Sequence, residues 1–350
     1  MTNAESVCMS VVLPVYNVER YLGRCLDSIL SQGLQRIEAI CVNDASTDGS
    51  RDVLDGYAKR DARVKVIHFP ENLGVGAARN AGIRAAQGET ICFVDPDDYL
   101  PEGSLETRAA AYAKYKTTLK GMRVDMTPQG VVTRYDAYSE ERTRAPFCPK
   151  EDLLSIDLLD HHQAWLFPTD LLRRNGITYK EGMRNGQDLY FLAKLYYFID
   201  AMLCINAPTY CLVHRQGSAT NRQLNIDNYI NILRCAEIFY EESVLRNKLL
   251  FGDYYFNKRI VHALTRITEN SINDVDVNAE FDRFIEYGLY LFQKFGVIKR
   301  YKKPGYIDAF PGIKLLAALV HEPRGGIAYR IRKANQKMAT APAKPGELPA

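Results

Sequence analysis

The sequence predicts an α/β protein in which a mostly parallel sheet is flanked by helices. Four apolar runs rich in β-branched residues alternate with three amphipathic helical patterns in the first hundred residues. A polar loop follows each of the four runs. Such alternation favours parallel strands joined by right-handed crossovers, and ligands of such sheets bind beyond the carboxyl ends of the strands. The four loops are therefore the predicted place of a functional site.

Each of these elements has a local signal. The predicted strands are SVVLPV, EAICVND, VKVIHF and TICFVD, and the predicted helices are VERYLGRCLDSILSQG, STDGSRDVLDGYAKR and AARNAGIRAAQ. Apolar residues recur on one face of the first helix, which is expected to end at Gly33. The Ser, Thr and Asp residues that open the second helix are typical capping residues.

The pattern changes after Leu100. A helix is predicted in EGSLETRAAAYAKYK, followed by a polar stretch, 117–152, with only weak strands such as GVVTRY. AWLFPTDLLRRNGITY and GQDLYFLAKLYYFI predict helices with intervening turns, whereas MLCINAPTYCLVHR predicts strands. Three amphipathic helices are expected between Ile226 and about Phe295.

The chain is predicted to contain four regions: 1–100 and 101–222, which are two halves of one domain, a mainly helical region 223–337, and a disordered tail 338–350. The segment 294–337 has eleven Lys or Arg against two acids, a net charge of +9, so the rest of the chain carries −6. Aromatic residues are interleaved with these charges. This mixture suits an anionic membrane surface, and a solvated basic face is the alternative. No nucleic-acid partner is expected.

Composition favours a globular protein of the cytoplasm. With 350 residues, 47% of them hydrophobic, the chain is long enough to form a large core. Its eight cysteines include no C-x-x-C pair, which favours reduced thiols over disulfides or a zinc site. The N-terminus lacks the basic and apolar parts of a signal peptide, and no run approaches the roughly 20 apolar residues that span a bilayer. We expect a cytoplasmic location, peripheral to the inner membrane face if the basic segment binds lipid.

The fourth predicted strand ends in three carboxylates, Asp95, Asp97 and Asp98, arranged around Pro96. Like charges this close repel one another unless a cation or hydrogen-bond donors offset them. One Asp would suffice to cap the following helix. Mg²⁺ and Mn²⁺ typically take one or two carboxylates and complete their coordination with water and phosphate oxygens. The cluster therefore predicts a divalent metal that bridges the protein and a diphosphate.

Two other loops carry polar groups of the same kind. Asp44 in NDASTD suits either an Asx turn with a helix cap or acceptance of a hydrogen bond from a nucleobase N–H or a ribose hydroxyl. GVGAARN has Arg79 where the dinucleotide fingerprint has its third glycine, and no P-loop motif occurs, so neither nicotinamide nor P-loop chemistry is favoured. A turn at Gly74, a helix N-terminus and Arg79 suit a phosphate, although a purely structural arginine is the alternative.

Taken in order, these motifs resemble family 2 glycosyltransferases. The resemblance is carried by SVVLPVYNVERYLGRCLDSILSQ, AICVNDASTDGSRDVLDGYA and VIHFPENLGVGAARNAGIRAAQGETICFVDPDDYL, which cover Ser10 to Leu100 almost without a break. It continues loosely in LFPTDLLRRNGITYKEGMRNGQDLYF and YCLVHRQGSATN, which resemble acceptor-side segments of bacterial members that make surface polysaccharides. The resemblance implies the GT-A fold, a Rossmann-like sheet, and inverting, Mn²⁺- or Mg²⁺-dependent transfer of a hexose or N-acetylhexosamine from a UDP-sugar to a glycan, expected to be lipid-linked.

The same resemblance implies roles for single residues. The uridine would be lined by Asp44 and by the segment Pro14, Val15, Tyr16 and Asn17. Arg79 and Asn80 would shape the donor pocket. Asp95 and Asp97 would form the D-x-D pair, with Asp97 the direct metal ligand and Asp95 nearer the ribose. Asp98 would orient the loop.

An acceptor hydroxyl must lose a proton during transfer, so a carboxylate base is needed in the second half of the chain. Asp188 in GQDLYF is the candidate, and a helix-capping Asp is the alternative. Family members usually have Glu before this Asp, whereas this chain has Gln187, which puts any role of that acid in placing the acceptor in doubt. His214 lies where some relatives have a metal or phosphate contact, but a lone structural histidine is the alternative.

Trp165 suits either a core position or a platform under a sugar ring. Two other functions compete with the transferase. One is a non-catalytic binding or scaffold protein with the same fold, suggested by Gln187. The other is a sugar-nucleotide nucleotidyltransferase, which would need a glycine-rich loop ending in Arg after the first strand, where this chain has PVYN.

Overall fold

The computed structural model describes residues 7–127, 129, 132–135, 147–149, 162–183 and 186–214, and eight residues between 233 and 294. Contacts divide the chain into two units, Met1–Arg222 and Gln223–Ala350. The described residues of the second unit all lie in helices. The predicted tail and the basic segment, apart from Lys294, fall outside the described residues. No helix within the described ranges has the length and apolar character that crossing a membrane would need.

In the part of the first unit that the structure describes, the strands form a nine-stranded sheet. The strands are β1 (Met9–Val15), β2 (Ile37–Asn43), β3 (Val64–His68), β4 (Thr90–Phe93), β5 (Leu119–Met126), β6 (Val132–Tyr135), β7 (Phe147–Pro149), β8 (Trp165–Pro168) and β9 (Ala201–Val213). Their order is β3-β2-β1-β4-β8-β5-β9-β7, and β6 pairs with β5. Strands β1 to β4 are parallel, as are β5 and β9, whereas β8 is antiparallel to both β4 and β5.

Among the residues that the structure describes in this unit, six helices accompany the sheet: α1 (Glu19–Leu30), α2 (Ser50–Arg60), α3 (Val75–Ala85), α4 (Ser104–Tyr115), α5 (Thr169–Arg174) and α6 (Gln187–Tyr196). Every residue of β1, β2 and β4 is buried, which shows that both faces of the sheet are covered. The predicted order of strands and helices up to Phe93 is confirmed, and so is the α/β fold class.

Helix α3 packs closely on the sheet because glycine stands at the contact. A Cβ atom added to Gly82 would lie 2.2 Å from Cγ1 of Val12 in β1. The carboxyl end of α3 is held by Arg173 of α5, whose Nη2 donates to the carbonyls of Ile83, Arg84 and Ala86. A guanidinium at this end satisfies free carbonyls and complements the helix dipole.

The segment AWLFPTDLL differs from its prediction as a helix. Trp165, Leu166 and Phe167 lie in β8, and the helix α5 begins only at Thr169. These three side chains are fully buried, and Trp165 stacks on Phe167 with ring centroids 5.8 Å apart. A short apolar run gives no periodicity that separates a buried strand from a buried helix. Trp165 is therefore a core residue and offers no platform to a sugar.

Strand β5 was expected only as a weak strand, but it is an eight-residue strand inside the sheet. Its sequence looks polar because it contains charged residues that are buried in the fold. Arg123 and Asp125 form an ion pair, with Nε 2.6 Å from Oδ1, and both side chains are almost inaccessible. Residues two positions apart in a strand lie on the same face, so the two charges can pair with each other. This pairing makes their burial possible.

Most of the cysteines whose side chains the structure describes lie in the core. Six of them in the described ranges are free thiols: Cys8, Cys25, Cys41, Cys92, Cys204 and Cys211. All but Cys8 are buried. Burial raises the pKa of Cys41 to about 12, so that this thiol is unreactive at neutral pH.

Candidate functional site

The loops that follow β1, β2 and β4 meet at the carboxyl edge of the sheet, together with the N-terminus of α3. Asp44 after β2 donates its N–H to the carbonyl of Val15 at the end of β1 (2.8 Å). Val94, just before the acidic loop, donates to Val12 in the same strand (3.0 Å). The chain direction of parallel strands therefore brings the predicted polar residues to one edge.

The loop after β1 is locked against the loop after β2. Asn17 has a positive φ of 52°, its N–H donates to Ser46 Oγ (3.1 Å), and its Oδ1 accepts from the N–H of Thr47 (2.8 Å). Pro14 and Val15 are buried in β1, so they support this loop from below. Tyr16 is 46% exposed and presents its ring at the surface.

Asp44 is buried and organises the loop that leads into α3. Its two carboxylate oxygens accept hydrogen bonds from the N–H groups of Leu73 (2.7 Å) and Gly74 (2.9 Å). Gly74 has a φ of 89°, a conformation that other residues rarely adopt. Gly74 occupies the capping position of α3 without a side-chain hydrogen bond, and N–H groups in the first turn of a helix suit an anion.

Asp95 is held by two side chains, one on each oxygen. Arg79 Nη2 lies 2.8 Å from Oδ1, and Gln163 Nε2 lies 2.7 Å from Oδ2. Burial raises the pKa of Asp95, but the positive charge of Arg79, helped by His162 and the hydrogen bond from Gln163, outweighs this and lowers the pKa below its usual value. Asp95 is therefore an ionised carboxylate with a fixed orientation.

Asp98 faces β9. Its Oδ2 accepts from the hydroxyl of Tyr210 (2.5 Å) and its Oδ1 from the N–H of Val213 (2.7 Å). Burial, followed by the charges of Asp97 and Asp95, raises the pKa of Asp98 well above its usual value. Burial is the larger cause of this raised pKa, and the repulsion expected among the three acids adds to it.

Asp97 lies between these two fixed acids and is half-buried. The carboxylate oxygens of Asp95 and Asp97 are of the kind that a divalent metal prefers, and they lie at the carboxyl edge of the sheet. Within the described residues no three His, Cys, Asp or Glu side chains converge in a way that could hold an ion. A metal held here would take one or two carboxylates and oxygen atoms of a substrate.

The second half of the chain contacts α3 through Tyr179, which bonds Asn80, and through α6. Asn80 Nδ2 donates to the carbonyl of Tyr179 (3.0 Å), and Asn80 Oδ1 accepts from the backbone N–H of Tyr179 (2.8 Å). Arg79 lies over the Tyr179 ring, 5.2 Å from its centroid. Burial lowers the pKa of Arg79, but the charge of Asp95, with smaller contributions from Tyr179 and Asp188, raises it above the usual value. Asp188 thus lies within electrostatic reach of the Arg79–Asp95 pair.

Asp188 is half-buried in the first turn of α6, and Gly186 occupies the capping position without a side-chain hydrogen bond. Asp188 is thus in the first turn of the helix and not at the capping position. The neighbouring Gln187 is buried against α3, where a Cβ on Gly76 would lie 2.9 Å from Gln187 Oε1. That oxygen has no hydrogen-bond partner in the described part of the chain.

His214 follows the residue that binds Asp98, but its ring contacts another acid. Its Nε2 lies 3.2 Å from Asp125 Oδ2, and its N–H donates to the carbonyl of Met126 (2.8 Å). Asp125 is also paired with Arg123. The predicted contact of His214 with a metal or phosphate stays a prediction.

Sequence reasoning missed Gln163, Tyr179 and Tyr210, which contact the predicted residues directly. Tyr210 Oη also accepts the N–H of Asp95 (3.2 Å), so this one hydroxyl joins both ends of the acidic loop. Tyr210 carried a weak signal as an apolar residue of a predicted strand. Gln163 carried none, because a glutamine beside two histidines resembles a surface turn.

The sheet order and the acidic loop after β4 define an α/β protein of the GT-A type. The chain belongs to glycosyl transferase family 2, whose family model matches residues 10–169. It is 30% identical over 240 residues to the glycosyltransferase GlyG of Streptococcus pneumoniae, covering 63% of this chain and 75% of GlyG. An uncharacterized glycosyltransferase of Bacillus subtilis, EpsJ, is 51% identical over 92 residues, and the alignment spans only 26% of each chain.

The fold is also that of a solved structure. Residues 1–349 of S. aureus TarS, crystallised in complex with UDP-GlcNAc, superpose with a TM-score of 0.65 at 20% sequence identity. The match covers 95% of this chain and 91% of that chain. At this level of identity the likeness confirms the GT-A fold.

Proposed function

We propose that this chain is a metal-dependent, inverting glycosyltransferase that moves a hexose or N-acetylhexosamine from a UDP-sugar to a hydroxyl group of a glycan. One observation carries the proposal: Asp97 stands between Asp95 and Asp98, which are both fixed by hydrogen bonds, at the carboxyl edge of the sheet. This is where an α/β sheet binds nucleotides. TarS, which shares the fold, was crystallised with such a donor.

In this proposal Tyr16, Asn17 and Asp44 bind the uridine. The exposed Tyr16 ring offers a face to the base, and the Asn17 contacts hold that loop in place. Asp44 acts by fixing the backbone of residues 72–74, although each of its oxygens retains a lone pair for a base N–H. Gly74 and the first turn of α3 then lie beside the diphosphate.

Asp97, with Asp95 beside it, would hold Mn²⁺ or Mg²⁺. When bound, such an ion offsets the negative charge that grows on the diphosphate as the glycosidic bond breaks. Arg79 keeps Asp95 ionised and oriented for this task. Asn80 and Tyr179 join the donor side to the acceptor side of the site.

Asp188 is the proposed general base. Inversion requires the acceptor hydroxyl to attack the anomeric carbon from the face opposite the diphosphate, while its proton passes to a carboxylate. Asp188 is half-buried, is not part of the acidic loop, and contributes to the raised pKa of Arg79, which supports this role. The new bond forms to the acceptor oxygen, UDP leaves with the bonding electrons, and the proton remains on Asp188.

The proposal is tested by replacing the central acid. Asp97→Asn preserves size but removes the charge, so Mn²⁺-dependent UDP release from a panel of UDP-sugars should fall at least about 100-fold. The unfolding temperature should stay within a few degrees of the wild type. Asp52→Asn, at an exposed position of α2, is the matched control and should behave as the wild type. Unchanged turnover of Asp97→Asn would exclude the metal assignment.

The non-catalytic alternative gives a different result in the same assay. The neutral Gln187 beside the candidate base is the observation that favours it. A scaffold would bind UDP but release none from any UDP-sugar, with or without Mn²⁺. Donor-dependent release by the wild type would reject this alternative.

A further inference from the structure

We infer that Gln163 is a positioning residue, which sets the plane of the Asp95 carboxylate together with Arg79. This inference rests on the proposed function, because it concerns how Asp95 faces the donor and its metal. Gln163 lies in a 3-10 turn, His162–Ala164, just before β8, and is separated from Asp95 by 68 residues.

The two contacts on Asp95 come from different elements. Arg79 belongs to α3 and reaches Oδ1, whereas Gln163 belongs to the turn before β8 and reaches Oδ2. The arginine makes one hydrogen bond to this acid, and its buried Nε has no partner in the described ranges. A carboxylate held at one oxygen can pivot around that contact. The second contact fixes its plane, and thereby the direction in which its remaining lone pairs point.

The turn that carries Gln163 is itself anchored in the core. The carbonyl of Gln163 accepts from Arg108 Nη2 (3.3 Å), which also donates to the carbonyl of Thr209 (2.7 Å). Arg108 is fully buried. The next residue, Tyr210, binds both Asp95 and Asp98. The backbone of Gln163 and the acidic loop are thus both anchored to two neighbouring residues of β9, Thr209 and Tyr210.

The chemistry of an amide suits this place. Gln163 is 9% exposed and gives Asp95 an N–H donor without adding a charge. Its Oε1 is buried and has no partner within the described residues, so the side chain is held by its bond to Asp95. A carboxylate at position 163 would place an acceptor against an acceptor. An apolar side chain would leave Asp95 Oδ2 without its donor, which is costly for a partly buried charge.

The test uses Gln163→Met, which keeps the length of the side chain and removes the donor. We expect Mn²⁺-dependent UDP affinity, measured by calorimetry, to weaken about 10- to 100-fold, as for a lost hydrogen bond to a charged group. Gln163→Glu should weaken it at least as much. The matched control is Gln32→Met, because Gln32 is also buried and bonded to the backbone at Ser28, Pro101 and Leu105. It should lower the unfolding temperature but leave UDP affinity unchanged.

The outcomes separate this inference from the proposed function. If the wild type shows no Mn²⁺-dependent UDP binding, the proposed function fails. If the wild type binds and Gln163→Met binds equally well, or if Gln32→Met loses affinity to the same extent, the positioning role is rejected. Should Gln163→Met not fold, Gln163→Asn replaces it. That shorter amide cannot reach Asp95, so the same loss of affinity is expected, and wild-type affinity would overturn the inference.

Discussion

At the scale of single residues, the acidic loop after β4 is defined by partners that lie far along the chain. Asp98 bonds Tyr210, 112 positions away, and Asp95 bonds Gln163, 68 positions away. These contacts give the three neighbouring acids different environments. Asp95 is ionised through Arg79, whereas burial and the other two acids strengthen the hold of Asp98 on its proton. The different roles proposed for the three acids therefore follow from their surroundings.

The proposed base can be tested at this scale. In Asp188→Asn, UDP should bind as in the wild type, because the proposal assigns this residue to the acceptor and not to the uridine. Transfer to an acceptor should fall about 100- to 10,000-fold, the usual contribution of a positioned base. Initial rates of transfer and calorimetric UDP affinity measure the two effects. Asp170→Asn, at an acid whose side chain is 79% exposed, should change neither. Wild-type transfer by Asp188→Asn would rule out the base.

A second residue-scale prediction concerns stability at low pH. Burial raises the pKa of Glu38, but hydrogen bonds from Lys65, Ser10 and the N–H of Gln87 outweigh it and lower the pKa below 4.5. Because the pKa of Glu38 is lower in the folded than in the unfolded chain, its ionised form stabilises the fold at pH values above the unfolded-state pKa. This stability is lost as the pH falls through the folded-state pKa. Glu38→Gln should cost roughly 1–3 kcal/mol at neutral pH.

The measurement is urea unfolding of the wild type and Glu38→Gln at neutral pH and at a pH below 4.5. The difference in free energy of unfolding between the two proteins should shrink as the pH is lowered. Glu71→Gln, at an exposed position, is the control and should show no such trend. A difference that stays constant with pH would contradict the assignment.

At the scale of elements, the local sequence pattern was sufficient to predict the elements where strands and helices alternate. It was insufficient where the sheet becomes mixed. Strands β1 to β4 and helices α1 to α3 formed where the sequence predicts them. The helix predicted at AWLFP was wrong, because Trp165–Pro168 pairs with β4 and β5. Strand β5 was underestimated because Arg123 and Asp125 neutralise each other inside the fold. Both cases depend on partners that periodicity does not reveal.

The packing of α3 on the sheet gives a prediction at this scale. Gly82→Ala places a methyl group 2.2 Å from Val12 Cγ1, so α3 must shift, and stability should fall by about 1–3 kcal/mol. Gly56→Ala is the matched control in α2, where nothing lies within 4 Å of the added Cβ. It should stabilise the protein by about 0.5–1 kcal/mol, since alanine favours a helix interior. Thermal unfolding of both variants shows whether each substitution lowers or raises the stability. A stabilised Gly82→Ala would contradict this packing.

At the scale of the whole molecule, the first unit, Met1–Arg222, contains all the residues assigned to the site. The second unit carries the basic segment 294–337, for which the sequence predicts contact with an anionic membrane surface. An acceptor linked to lipid would make such contact useful, because it would keep the site close to its substrate. This role of the second unit is a proposal that follows from charge and aromatic content.

The membrane proposal is tested by flotation on liposomes that contain anionic lipid. The full chain should float with these vesicles and remain behind with neutral ones, and salt should weaken the binding because the attraction is electrostatic. A chain ending at residue 293 should not float with either kind of vesicle. Equal behaviour of the two chains would reject a membrane role for the segment.

The sequence by itself determined the α/β class, the order of the first seven elements and the loops that bear the acidic cluster. These features depend on residues close together in the chain, where hydrophobic periodicity and turn chemistry act. Only the tertiary structure decided that Gln163 and Tyr210 hold the acids and that β8 and β5 complete the sheet. The physical reason is that such contacts join residues far apart in the chain, 68 positions for Gln163 with Asp95 and 112 for Tyr210 with Asp98. Burial and pairing arise only once the chain has folded.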